Sequence, residues 1–214
     1  VAAPVTTIPF EDTLALADLQ RYATLARAID PDAAMRLVAS GGVLAAYVCV
    51  LPGRGLTGQG TVLGLRTFAM ASPTQVDVVV PVAAILDRIA HLAAQHHEGA
   101  DLPVPPMSVF LPWAAMSPPQ TGWTREGDYS PEVLLAHARE GITTLGAAGT
   151  GLAAQVDALR ARVWGEPLPD SMAPRGLAFA AYSLRFLAPT EPATLYRAGS
   201  WWRLRTSGGH VLAR

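Results

Sequence analysis

Residues 35–51 read MRLVASGGVLAAYVCVL, two largely apolar runs separated by the pair Gly41-Gly42. Adjacent glycines accept the positive φ that a two-residue hairpin turn demands, so the stretch predicts antiparallel strands over 35–39 and 43–51. The uncharged stretch between Arg36 and Arg54 is short for a membrane helix and is interrupted by Ser40-Gly41-Gly42 and Pro52. A strand-turn-strand fits it, and no membrane association is expected.

On the N-terminal side, residues 12–29 predict a helix, because Ala15, Leu19, Tyr22, Ala26 and Ile29 recur at helical spacing. Asp30-Pro31 ends it, since a residue before proline is pushed out of the helical region. On the C-terminal side come a glycine-rich loop over 53–60, a strand over 61–70, a Ser72-Pro73 turn and a strand over 75–80. Pro81 then opens a helix to about residue 96, striped by Val82, Ile85, Leu86, Ile89, Leu92 and Ala93. Sequential strands with short connections predict an antiparallel meander packed on helices.

Residues 103–119 hold six prolines, which exclude a long helix or a central strand. Met107, Phe110, Trp113 and Met116 are interleaved and Trp123 follows, so the segment reads as an ordered, extended crossover on apolar surface. Ser130-Pro131-Glu132 is a helix start: a serine cap, proline at the first helical position, and an acid near the positive end of the dipole. That helix, with Leu134, Ala138, Ile142 and Leu145 inward, reaches residue 145. After a break at 146–151, a second helix carries Leu152, Val156, Leu159 and Val163 on one side. A third, over 174–187, is apolar nearly all round, which predicts a central position. Strands over 194–197, 201–206 and 210–213 close the chain. The fold class expected is therefore α+β: an antiparallel sheet packed with helices, then a helical segment and a C-terminal β-meander. The expected division is 1–102, a crossover over 103–129, and 130–214, as separate lobes or as one continuous domain.

Composition limits the function. Half of the residues are hydrophobic and 15% are charged, which excludes a disordered chain. There is no lysine, so Schiff-base chemistry, a pyridoxal-phosphate anchor and a P-loop lysine are all excluded. The net charge of −1 gives no global attraction to nucleic acid or an anionic membrane. Residues 1–150 hold 8 Arg against 13 Asp and Glu, whereas residues 151–214 hold 8 Arg against 4 acids. The two parts are expected to complement each other within the fold or across a dimer. Cys49 is the single cysteine, so no intramolecular disulfide forms, and a reducing cytoplasm is the expected compartment. The chain begins at Val1 rather than methionine, which leaves a preceding segment, such as a cleaved signal peptide, as an open alternative.

Motifs for catalysis are weak. Gly53-Arg54-Gly55-Leu56-Thr57-Gly58 satisfies G-x-G-x-x-G, but the residues after it read as strand rather than as the helix that would hold a pyrophosphate. A hairpin loop is the expected meaning. Cys49 lies in a continuously apolar strand and reads as a buried thiol. There is no G-x-S-x-G elbow. Asp87, His91 and Glu98 share one helix face, with His96 and His97 near its end. That face is opposite the apolar stripe and reads as solvated, so no metal site and no cofactor are expected.

Two groups of residues remain as binding candidates. Phe110, Trp113 and Trp123 are expected to wall a pocket at the crossover, with His137, at the edge of its helix's inward stripe, as the polar group. In strand alternation, Trp201, Arg203 and Arg205 share one face, an arrangement enriched at protein–protein contacts. The leading expectation is a non-catalytic interaction or assembly module forming a homo-oligomer through that face. The first alternative is a small-molecule-binding protein or enzyme using the crossover pocket. The second is a nucleic-acid binder using the C-terminal Arg and Trp residues, ranked lower because the third helix is too apolar for a major groove.

Overall fold

The computed structural model describes residues 6–55, 57–95, 99–147 and 153–214 of a chain that divides into two units. The first unit comprises residues 1–49 and 65–115, and the second 50–64 and 116–214. In the described residues the fold is α+β, with five helices and antiparallel sheets.

The first unit is built from β1 (Thr7–Pro9), α1 (Thr13–Ile29), β2 (Ala34–Ser40), β3 (Val43–Leu51), β4 (Val62–Ala69), β5 (Val76–Pro81), α2 (Val82–Ala94) and β6 (Asp101–Pro103). The last residues of β3 and the first of β4 belong to the second unit. Asp12 caps α1, accepting a hydrogen bond from the Ala15 amide at 2.7 Å, and Leu16, Leu19, Tyr22, Ala23 and Ala26 form its buried stripe. Gly41, at φ 61°, turns β2 into β3, and the two strands pair from Met35↔Val48 to Ser40↔Val43.

The strand order β5-β2-β3-β4 corrects the simple meander expected from sequence. β5 returns to the free edge of β2, from Ala34↔Pro81 to Ala39↔Val76. β2 thereby gains partners on both edges, so its backbone groups are satisfied while Met35 and Leu37 are fully buried. Arg36 clips the outer strand, donating two hydrogen bonds of 2.8 Å to the Asp77 carboxylate and a third, of 2.7 Å, to the Ala114 carbonyl. That guanidinium holds the Asp77 carboxyl below its ordinary range.

The second unit adds β7 (Thr124–Tyr129), α3 (Pro131–Ala147), α4 (Ala153–Gly165), α5 (Gly176–Ser183), β8 (Ala193–Ala198), β9 (Trp201–Arg205) and β10 (His210–Ala213). The expected meander β8-β9-β10 forms, and β7 extends it in the order β10-β9-β8-β7. β7 reads TREGDY, mostly charged or polar, so no apolar alternation announces it. It is an outer strand that owes its existence to pairing with β8, with a bulge between Arg125 and Gly127.

Helix α5 is central, with Gly176, Leu177, Ala178, Ala180 and Ala181 buried, but it stops short of the 174–187 expected. Arg185 takes the left-handed conformation at φ 54°. The Arg185 amide bonds the Tyr182 carbonyl at 3.0 Å and the Phe186 amide bonds the Ala181 carbonyl at 2.9 Å. This is the double closure of a Schellman motif, with arginine where glycine is usual. In α3 the inward stripe is Pro131, Leu134, Ala138 and Gly141, so Gly141 replaces the expected Ile142, which is 40% exposed. Leu152, expected in the α4 stripe, lies outside the described residues.

Candidate functional site

Cross-strand pairing in the second unit places β9 residues in rows. Arg203 stands between Tyr196 of β8 and Leu212 of β10, and Arg205 stands between Thr194 and His210. These rows share one face of the sheet with Trp201, as alternation requires. The rows end on β7 at Arg125, opposite Tyr196, and at Asp128, opposite Thr194. Arg125 and Asp128 are ion-paired with each other.

The Arg203 guanidinium lies 4.5 Å from the Trp123 ring centroid and 4.8 Å from that of Tyr196. Trp123 is itself held by its indole N–H, which donates to the Pro119 carbonyl at 2.9 Å. Burial lowers the pKa of Arg203, as it disfavours any charge removed from water. Trp201 does not share this half-open setting. It is 6% exposed, with the Arg214 guanidinium 5.9 Å from its ring, and so works as a packing residue. Arg205 is exposed.

The opposite face of the same strands carries Leu195, Leu204, Val211 and Ala213, all buried, and α5 packs on β10. Beyond this core the face opens into a groove of about 520 Å³. Arg197 and Trp202 are register partners on its floor, with the guanidinium 5.0 Å from the indole centroid. Glu126 to Tyr129 bound it on one side and the loop 169–172 on the other. The Tyr129 hydroxyl donates to the Pro169 carbonyl at 2.6 Å and fixes the two sides together. Asp170, at φ 55°, turns that loop, and Met172 on it is 77% exposed. Sequence reasoning missed this groove. Its one local signal is the spacing of Arg197 and Trp202 about the Gly199-Ser200 turn, and the loop wall arrives from elsewhere in the chain.

The four residues expected to form a crossover pocket fall in different units: Phe110 and Trp113 in the first, Trp123 and His137 in the second. Phe110 is 88% exposed, whereas Trp113 is buried in a 3-10 turn, Pro112–Ala115. Trp123 stacks on Arg203, as described. His137 lies on α3 with Nδ1 at 3.8 Å from Glu140 Oε2. Glu140 belongs to a further cluster, in which the buried Arg175 guanidinium stands 3.0 Å from Glu166 Oε2 and 3.6 Å from Glu140 Oε2.

The glycine-rich loop is a hairpin. Two of its amides are used internally, Arg54 N–H to the Gln59 carbonyl at 2.9 Å and Gly58 N–H to the Gly55 carbonyl at 3.3 Å, and the Gly60 N–H donates to the Arg214 carbonyl at 2.7 Å. The Thr61 hydroxyl closes it, donating to the Gly58 carbonyl at 2.7 Å. Leu56 of this motif lies outside the described residues, as do His96, His97 and Glu98. Asp87 and His91 are exposed, and among the described residues no group of three His, Cys, Asp or Glu is placed to hold a metal ion. Among those residues, too, no helix is long and apolar enough to cross a membrane.

Cys49 is half-buried, and burial, with the Asp30 charge, pushes its thiol up to about 12. A thiolate is the reactive species, so Cys49 will react with a thiol reagent at about pH 8 at least ten times more slowly in the native protein than in urea. Equal rates, followed by absorbance, would refute the burial argument.

Two family patterns match the chain. That of the domain of unknown function DUF8010 matches residues 3–114, more than half of the sequence. The chain belongs to the DUF8010 family. A second pattern, that of the domain of unknown function DUF8185, matches residues 118–214. The DUF8010 region thus ends at 114, beside the last residue of the first unit at 115. The groove and the arginine rows lie in the DUF8185 region that follows. No curated protein matches the chain.

Proposed function

We propose that this DUF8010 protein is a non-catalytic protein-interaction module whose groove over β7–β9 receives a partner segment bearing arginine or lysine. The observation that carries this reading is the open groove of about 520 Å³ floored by Trp202 and Arg197. The reading is supported by the Arg197 guanidinium lying 5.0 Å from the Trp202 ring centroid, the kind of contact that indole faces make with cations. Glu126 and Asp170 border the groove, and among the described residues neither forms an ion pair, so both are available to a cationic partner. The exposed Met172 offers adaptable apolar contact on the same wall.

A second copy of the chain is the partner we favour, because the acidic residues concentrate in 1–150 and the arginine excess in 151–214. Native mass spectrometry tests this part: a strict monomer at micromolar concentration would reject the homo-oligomer and leave a heterologous partner. The groove is tested by fluorescence anisotropy with a labelled arginine-rich peptide, against a glutamate-rich control. Trp202→Ala should weaken binding about tenfold or more, as truncating an aromatic anchor does. Trp202 is half-buried, so the variant should keep its circular dichroism spectrum. An unchanged affinity, or equal binding of the acidic control, would overturn the reading.

The groove volume also lies within the range of small-molecule sites, which supports a second reading as a small-molecule binder or enzyme. A small adduct retained in the native spectrum and lost on denaturation would favour it.

A further inference from the structure

We propose that Arg203, Arg205 and His210 form a binding site for an oxyanion such as a phosphate or sulfate group, on the sheet face opposite the groove. The proposal does not depend on the groove. Two cross-strand rows bring these side chains together: Arg205 and His210 are direct register partners, and Arg203 is two residues along the same strand from Arg205. Successive same-face residues on a strand lie about 6.6 Å apart, a span that two flexible guanidinium groups close easily around one tetrahedral anion.

Among the described residues, no carboxylate, the usual neutraliser of a half-buried cation, lies within ion-pair distance of Arg203, Arg205 or His210. Arg203 Nε and His210 Nδ1 are shielded from solvent and, among the described residues, have no hydrogen-bond partner. The nearest carboxylate in the row belongs to Asp128, two strands from Arg205 beyond Thr194, and it is engaged by Arg125. Arg214, the remaining cation near this face, stands over Trp201. The Thr194 hydroxyl, next to Arg205 in the row, adds a neutral donor.

The site is also preorganised. Trp123 and Tyr196 hold the Arg203 guanidinium between rings, so little side-chain freedom remains to be lost on binding. Burial and the charges of Arg203 and Arg205 lower the His210 pKa. A bound oxyanion supplies the missing negative charge and draws a proton onto His210, so binding takes up a proton. Affinity therefore rises as pH falls through the range in which the complexed histidine is protonated and the free one is not.

Sulfate is the probe, because its charge stays constant where histidine titrates. Calorimetry on the full chain, with ionic strength fixed by chloride, should show saturable binding about tenfold tighter near pH 5.5 than near pH 8. Arg205→Gln should weaken it about tenfold or more. Arg205 is exposed, so this variant should fold normally, as circular dichroism will show. His210→Gln should flatten the pH profile. An absence of saturable binding at millimolar sulfate, or an Arg205→Gln variant that binds as well as the parent, would overturn the site. A pH-independent affinity in the parent would remove His210 from it. An oligonucleotide that displaces sulfate in an Arg205-dependent manner would support the site and place its anion on a polymer; an inorganic phosphate that does so would place it on a small molecule.

Discussion

Gly141→Ala will destabilise the protein by about 1–3 kcal/mol, the usual range for forcing an extra carbon into a packed site. In an exposed helix interior the same change would stabilise by roughly 1 kcal/mol, because alanine is the better helix former. The sign reverses here because of one contact. A Cβ on residue 141 would stand only 2.3 Å and 2.6 Å from ring carbons of Trp164. The indole has little room to retreat: it is buried and stacks on Phe179 with centroids 4.3 Å apart. A chain of this size loses roughly 2–4 °C of melting temperature per kcal/mol, so thermal unfolding followed by circular dichroism resolves the effect. Combining Gly141→Ala with Trp164→Leu should recover part of the loss relative to Trp164→Leu alone. A melting temperature that rises in the single variant would show that α3 and α4 are not in close contact at this point.

The second large effect concerns Arg175, and its informative feature is an asymmetry. Removing both acids, Glu140→Ala with Glu166→Ala, will cost about 3–5 kcal/mol, because a buried guanidinium is left without a counter-charge. Removing the cation instead, Arg175→Met, will cost about 1 kcal/mol or less, since a methionine fills similar volume without a charge to desolvate. The exposures explain the difference. The Arg175 side chain is 10% exposed, whereas those of Glu140 and Glu166 are 62% and 44% exposed and rehydrate once freed. Among the described residues Arg175 Nε has no hydrogen-bond partner, so the guanidinium depends on its two carboxylates. Urea titration measures both variants under one protocol. Equal losses for the two would mean that the cluster contributes through packing alone.

What could be read from the sequence was whatever local chemistry determines. The Gly41-Gly42 turn lies between strands that pair as expected, because only a residue tolerant of positive φ fits that position. Helix α1 begins after Asp12, whose carboxylate satisfies an amide that the helix leaves open. The apolar character of α5 did place it in the core. The meander of β8, β9 and β10 followed from turn residues and alternation.

What the tertiary structure decided depends on partners distant in sequence. The polar β7 is a strand because β8 offers it hydrogen bonds, and β5 lies beside β2 because an open edge was there to fill. Trp201 and Trp202 are neighbours in sequence, yet one packs inside and the other floors a groove, because successive side chains of a strand meet different surroundings. Arg203 and Arg205 were legible as a basic pair; that Trp123 grips one of them, and that among the described residues no carboxylate pairs with either, was not. Propensity and periodicity act over a few residues, whereas burial and charge compensation are set by whatever the finished fold brings alongside.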